Sequence, residues 1–74
     1  MITFDKALSI AKNAKKNINH CVEYSDAYMF SHDTGKDTDG GESPIVVMKQ
    51  DGKTMNMSAY IWRPGKKYIR DFNV

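Results

Sequence analysis

The stretch from Asp39 to Met57, DGGESPIVVMKQDGKTMNM, constrains the fold more than any other part of the chain. A glycine pair closes an acidic segment, and Ser43-Pro44 leads into the apolar run Ile45 to Met48. Asp51-Gly52 is the dipeptide favoured in two-residue hairpin turns, where both central residues take positive φ. Thr54 to Met57 then alternates polar and apolar, as a half-buried strand does. The spacing predicts a hairpin of Ile45–Lys49 and Lys53–Met57, with Met55 and Met57 on one face and Thr54, Asn56 and Ser58 on the other.

Ahead of the hairpin, Thr3 to about Asn19 reads as an amphipathic helix. Thr3 is a suitable N-cap, and Asp5 sits in the first turn where a carboxylate meets the positive end of the helix dipole. Phe4, Ala7, Leu8, Ile10, Ala11, Ala14 and Ile18 fall on one arc at 100° per residue. Lys15 alone intrudes there, its stem packing and its amine reaching out. Cys21–Tyr24 and Ala27–His32 read as strands joined at Ser25-Asp26, with Tyr28 and Phe30 on one face and Ala27, Met29 and Ser31 on the other. Asp33 to Ser43 has no hydrophobic residue and reads as a loop. Ala59 to Trp62 could extend a strand or form a helical turn. Arg63-Pro64-Gly65-Lys66 is a turn. Tyr68 to Val74 is a last strand whose broken alternation leaves room for a bulge. The expectation is a single α+β domain over residues 1–74: one N-terminal amphipathic helix packed on a small antiparallel sheet of three to five strands. Phe4, Leu8, Ala11 and Ile18 would meet Ile45, Val47, Met55 and Met57, or the other parity of the Ile45 strand.

A chain of 74 residues has a thin margin of buried surface, so a deep catalytic cleft is hard to build and a binding surface easier. The net charge of +2 hides a segregation: residues 1–22 sum to +3, 23–42 to −5 and 43–74 to +4. An acidic middle between basic ends can steer a charged partner. A single cysteine, Cys21, excludes an intramolecular disulfide and fits a reducing compartment. The N-terminus lacks a signal-peptide core, and no apolar run approaches the ~20 residues of a membrane span. These features place the protein in the cytoplasm.

No catalytic constellation emerges. Gly35 to Gly40 has the alternating carboxylates of a calcium loop, but Gly35 and Val46 stand where the first and the closing ligands should be. His20, Cys21 and His32 lack the paired spacing of a zinc site, and a Cys–His nucleophile pair would want an orienting group and oxyanion donors. No cofactor is expected, and the chain reads as a non-enzyme. Lys12, Lys16, Arg63, Lys66, Lys67 and Arg70, near Tyr60, Trp62 and Tyr68, could grip single-stranded nucleic acid by phosphate contact and stacking. The pI of about 8.7 and the acidic loop argue against that reading. Trp62, the sole tryptophan, is either a core residue or an interface anchor.

The segments ITFDKALSIAK, CVEYSDAYMFS, GGESPIVVMKQDGKTMNMSAYI and YIRDFNV together resemble the YrhB-like immunity proteins of bacterial polymorphic toxin systems. The matching features are the helix with Ala7, the strand with Tyr28 and Phe30, the proline-led strand Pro44 to Val47, and the turn Lys49-Gln50-Asp51-Gly52. The resemblance implies a stoichiometric inhibitor that neutralises a toxin by binding it. A phage-encoded inhibitor of a host defence enzyme is the alternative reading, and a small nucleic-acid-binding domain the second. The partner is then another protein, a toxin or a defence nuclease, with no membrane involved. The candidate contacts are the loop carboxylates Asp33, Asp37, Asp39 and Glu42, which could mimic phosphates in a basic cleft, with Tyr60 and Trp62 adding apolar contact.

Overall fold

A computed structural model describes residues 1–15, 18–32 and 44–74. The elements run α1 (Phe4–Ala14), β1 (His20–Tyr24), β2 (Ala27–Ser31), β3 (Ile45–Met48), β4 (Thr54–Asn56), α2 (Met57–Tyr60) and β5 (Tyr68–Asn73). The strands form one antiparallel sheet in the order β4-β3-β2-β1-β5. The architecture is α+β, an N-terminal helix packed on five strands, as the sequence pattern predicts.

Helix α1 starts where the cap predicts: the Thr3 hydroxyl accepts from the Lys6 amide at 3.2 Å. It ends earlier than the apolar arc implies. Lys15 is already extended, and its amide closes the last turn on the Ala11 carbonyl at 2.8 Å. The sheet explains the early stop. Asn19 is held at both ends of its backbone, its amide donating to Ser31 and its carbonyl accepting from Val74. The chain must therefore turn from helix to extended form before Asn19. Ile18 is buried as expected, but it lies outside the helix.

The hairpin differs from expectation in its turn. The Met48 amide donates to the Lys53 carbonyl, so the loop spans Lys49 to Gly52 rather than the two residues Asp51-Gly52. Within this loop Gly52 alone has positive φ, +77°, which rules out the two-residue turn with two left-handed residues. Lys49 decides this. Its amide donates to the Asp26 carbonyl beside β2, and its side chain turns under the sheet to Glu23. Helix α1 rests on the same loop. The Ile2 amide donates to the Lys49 carbonyl at 2.8 Å, and Gly52 lies under Ile10 and Ile2.

Two apolar layers flank the sheet. On the α1 side Ala7, Ala11, Ile18, Cys21, Phe30, Ile45 and Val47 are buried, with Phe4 wedged among Tyr28, Phe30 and Phe72 at centroid distances of 5.3 to 6.1 Å. On the other side Ala27, Val46, Met48 and Tyr60 are buried, with Tyr24, Met29, Met55 and Met57 against them. Ile45 and Val47 thus meet α1 as expected. Met55 and Met57 do not. Met55 pairs with Val46, and directly opposed antiparallel residues share a face, so Met55 lies away from α1. Met57 is not in the strand at all but opens α2. That second layer buries a large side chain, Tyr60, that the single-layer expectation did not provide for.

Candidate interaction surface

The segment from α2 to β5 crosses the sheet on the face opposite α1. Asn56 caps α2, its Oδ1 accepting from the Ala59 amide at 2.8 Å. Tyr60 anchors the crossing. Its ring is fully buried against Tyr24, and its hydroxyl donates to Asp26 in a short hydrogen bond. Burial first, and then the Asp26 hydrogen bond, push the Tyr60 hydroxyl above its ordinary range. Lys66 closes the helix end, donating to the Ile61 carbonyl at 2.6 Å and to Arg63 at 3.3 Å, with its ammonium over the Tyr60 ring. Pro64 and Gly65, the latter at φ +81°, make the turn. Ser25 then ties the segment to the β1–β2 turn: its amide donates to the Lys67 carbonyl and its hydroxyl accepts from the Lys67 amide.

With Tyr60 pointing in, the residues that follow must point out. Trp62 is 86% exposed, and Ile61 is exposed beside it. Tyr68 and Ile69 are also exposed, because a register shift in the β1–β5 ladder places Ile69 as an extra residue between the Glu23–Arg70 and Tyr24–Tyr68 pairs. Arg63 and Lys67, both exposed, lie on the same segment, whereas the Arg70 side chain is on the α1 face with Glu23 and Phe72. An exposed tryptophan contributes little to its own fold, and apolar side chains gathered outside the core mark interaction sites.

Of the sequence-nominated contacts, Trp62 is therefore on the surface and Tyr60 is not. Tyr60 is a core anchor whose ring and hydroxyl are both occupied within the chain. Asp33, Asp37, Asp39 and Glu42 lie outside the described residues. Ile61 and Ile69 are not among the sequence-based contacts, and Tyr68 is there only as a stacking residue of the nucleic-acid reading. The adjacent apolar pair Tyr68-Ile69, which breaks strand alternation, was the available signal.

Cys21, His20 and Glu23 are engaged within the fold, and His32 is exposed at the end of β2. Cys21 is buried on the α1 side; desolvation, reinforced by the Glu23 carboxylate, pushes its thiol up to about 12. His20, its neighbour, faces the other way, with Nδ1 3.2 Å from Asn73 Oδ1 and Nε2 3.5 Å from Asp71. Tyr68 donates to the same Asp71 at 2.8 Å. Glu23, 13% exposed at its side chain, accepts from Lys49 and from Arg70, both at 2.8 Å. The Lys49 hydrogen bond first, and Arg70 second, hold its carboxyl below the usual range. Lys49 also lies 4.8 Å from the Tyr28 ring centroid. Among the described residues, no three of His, Cys, Asp and Glu are placed to share a metal ion. An open groove between Lys15, Pro44, Ile45 and Thr54–Asn56 lies at the β4 edge of the sheet. No helix of the described residues is long and apolar enough to cross a membrane. Set against family models, curated proteins and solved structures, the chain matches none of them.

Proposed function

We propose that this chain is a non-catalytic protein-binding module of the cytoplasm that neutralises a bacterial toxin by stoichiometric binding. The observation that carries the reading is Trp62: a large aromatic side chain, 86% exposed, on a segment held rigidly from behind by Tyr60, Lys66 and Ser25. Rigid aromatic anchors beside arginine are the side chains that dominate protein interfaces. Ile61, Tyr68 and Ile69 add apolar area, and Arg63 and Lys67 supply charge. The carboxylates of the acidic segment, Asp33, Asp37, Asp39 and Glu42, add an opposite charge that raises the association rate with a basic cleft. A buried thiol held protonated supports the non-enzymatic half of the reading. A phage-encoded inhibitor of a defence enzyme would use the same surface in the same way.

Arg63 and Lys67 beside Trp62 and Tyr68 also favour a second reading, the stacking of single-stranded nucleic acid. One experiment separates the two. The protein is used as bait in an extract of its source cell, treated or not with nuclease, and retained molecules are identified by mass. The proposal expects one protein held at equal stoichiometry after nuclease treatment, whose activity falls linearly to zero at one equivalent. Retention of nucleic acid alone, or loss of partner activity far below one equivalent, would refute it.

A further inference from the structure

Among the described residues strand β5 is an edge of the sheet, and its residues are complementary to themselves. It is the longest strand, and nothing among the described residues pairs with its outer side. The opposite edge, β4, has only three residues, as guarded edges do. The hydrogen-bond phase of β5 is fixed from two directions. The Val74 amide donates to the Asn19 carbonyl, which makes Phe72 and Arg70 the residues bonded to Cys21 and Glu23. The two-residue Ser25-Asp26 turn gives the same phase, since it commits Tyr24 and Val22 to β2. The backbone groups of Asp71 and Asn73 therefore face outward.

We propose that β5 pairs with β5 of a second copy, antiparallel about a two-fold axis at Phe72, to give one continuous sheet across two protomers. In this register Asp71 and Asn73 of each chain exchange backbone hydrogen bonds with Asn73 and Asp71 of the other. Their side chains are matched as well. His20 takes the Asn73 Oδ1, which leaves the Asn73 amide NH₂ to donate to the opposed Asp71 carboxylate. Phe72, half-buried between Phe4 and the Arg70 guanidinium, meets its own copy at a non-hydrogen-bonded position, where cross-strand side chains approach most closely. Arg70 falls opposite Val74. Neighbouring registers are worse: centring on Asp71 opposes two carboxylates, and centring on Arg70 opposes two guanidiniums. Helix α1 packs mainly over β3 and β2 and touches β5 through Phe4 against Phe72. One strand pair buries less than the ~1,200 Å² of stable interfaces, so association belongs in the micromolar-to-millimolar range.

The test is sedimentation equilibrium up to about 1 mM protein, on three chains whose folding is checked by circular dichroism. The wild type is expected to rise from 8.4 kDa toward twice that mass as concentration increases. Asn73→Asp keeps the acceptor for His20 but sets carboxylates against each other across the axis, and should weaken association at least tenfold. The exchanged chain, Asp71→Asn with Asn73→Asp, restores the match and should recover association to within about threefold of wild type. A wild type that stays at monomer mass overturns the proposal. So does an Asn73→Asp chain that associates as the wild type does, or an exchanged chain that fails to recover.

Discussion

Replacing Tyr60 tests how the crossing segment is held. Tyr60→Phe removes one hydroxyl and leaves the buried ring in place. The lost interaction is a hydrogen bond to the Asp26 carboxylate, and bonds to charged groups contribute about 1.5–3 kcal/mol. A domain of this size loses about 4–8 °C of Tm per kcal/mol, so the drop should be about 8–16 °C for a loss near 2 kcal/mol. Tyr60→Ala also forfeits the ring, about 3–5 kcal/mol more. That is comparable with the whole stability of such a chain, at about 0.05–0.15 kcal/mol per residue, so this variant should be largely unfolded at 37 °C. The hydroxyl also gives an alkaline signature. Its pKa is raised in the fold, so the protonated form is the one the fold favours. The stabilisation is complete below the unfolded value of about 10 and is lost as pH climbs above it. Thermal melts followed by circular dichroism at pH 7 and pH 11 read both effects. The wild type should lose more Tm between the two than Tyr60→Phe does. A Tyr60→Phe chain within about 2 °C of wild type at pH 7 would refute the anchoring role.

Glu23 has its pKa lowered by Lys49 and Arg70, so it stabilises the fold above about pH 4.3 and ceases to do so as pH falls through its folded value. Urea midpoints from pH 7 to pH 2 should therefore show a steeper acid loss for wild type than for Glu23→Gln, which starts about 2 kcal/mol less stable because the buried Lys49 ammonium loses its carboxylate partner. Gly52→Ala should cost about 1–2 kcal/mol by chemical denaturation, since alanine strains at φ +77° and its Cβ would sit 3.1 Å from Ile10 Cδ1. Converting Asp37, Asp39 and Glu42 together to Asn, Asn and Gln should slow partner association measured at low salt, with a smaller effect at moderate salt. An unchanged on-rate at both would remove those carboxylates from the encounter.

The α1 face and the strands were legible because their signals are local. Thr3 caps, the apolar arc turns inward, and Tyr28 and Phe30 share a side as strand geometry requires. The bulge near Tyr68-Ile69 also left its mark in a broken alternation. What local patterns could not supply was the competition between elements. Nothing near Lys15 announces that Asn19 will be claimed by two strands. Nothing near Asp51-Gly52 announces that Lys49 will be drawn to Glu23, a residue far earlier in the chain. The same limit applied at the candidate surface. Tyr60 and Trp62 stand two residues apart with similar neighbours. Only the distant Asp26 and Tyr24 determine that the first is buried and the second exposed.

The most direct measurement is the affinity of the captured partner for three chains: wild type, Trp62→Ala, and Lys15→Ala as a control at the α1 end. Trp62 is so exposed that its removal should leave Tm within about 2 °C of wild type. As an interface anchor it should nevertheless contribute at least about 2 kcal/mol to binding, a loss of roughly thirtyfold in Kd by isothermal titration calorimetry, with Lys15→Ala unchanged. A Trp62→Ala chain that binds as tightly as wild type would contradict the account.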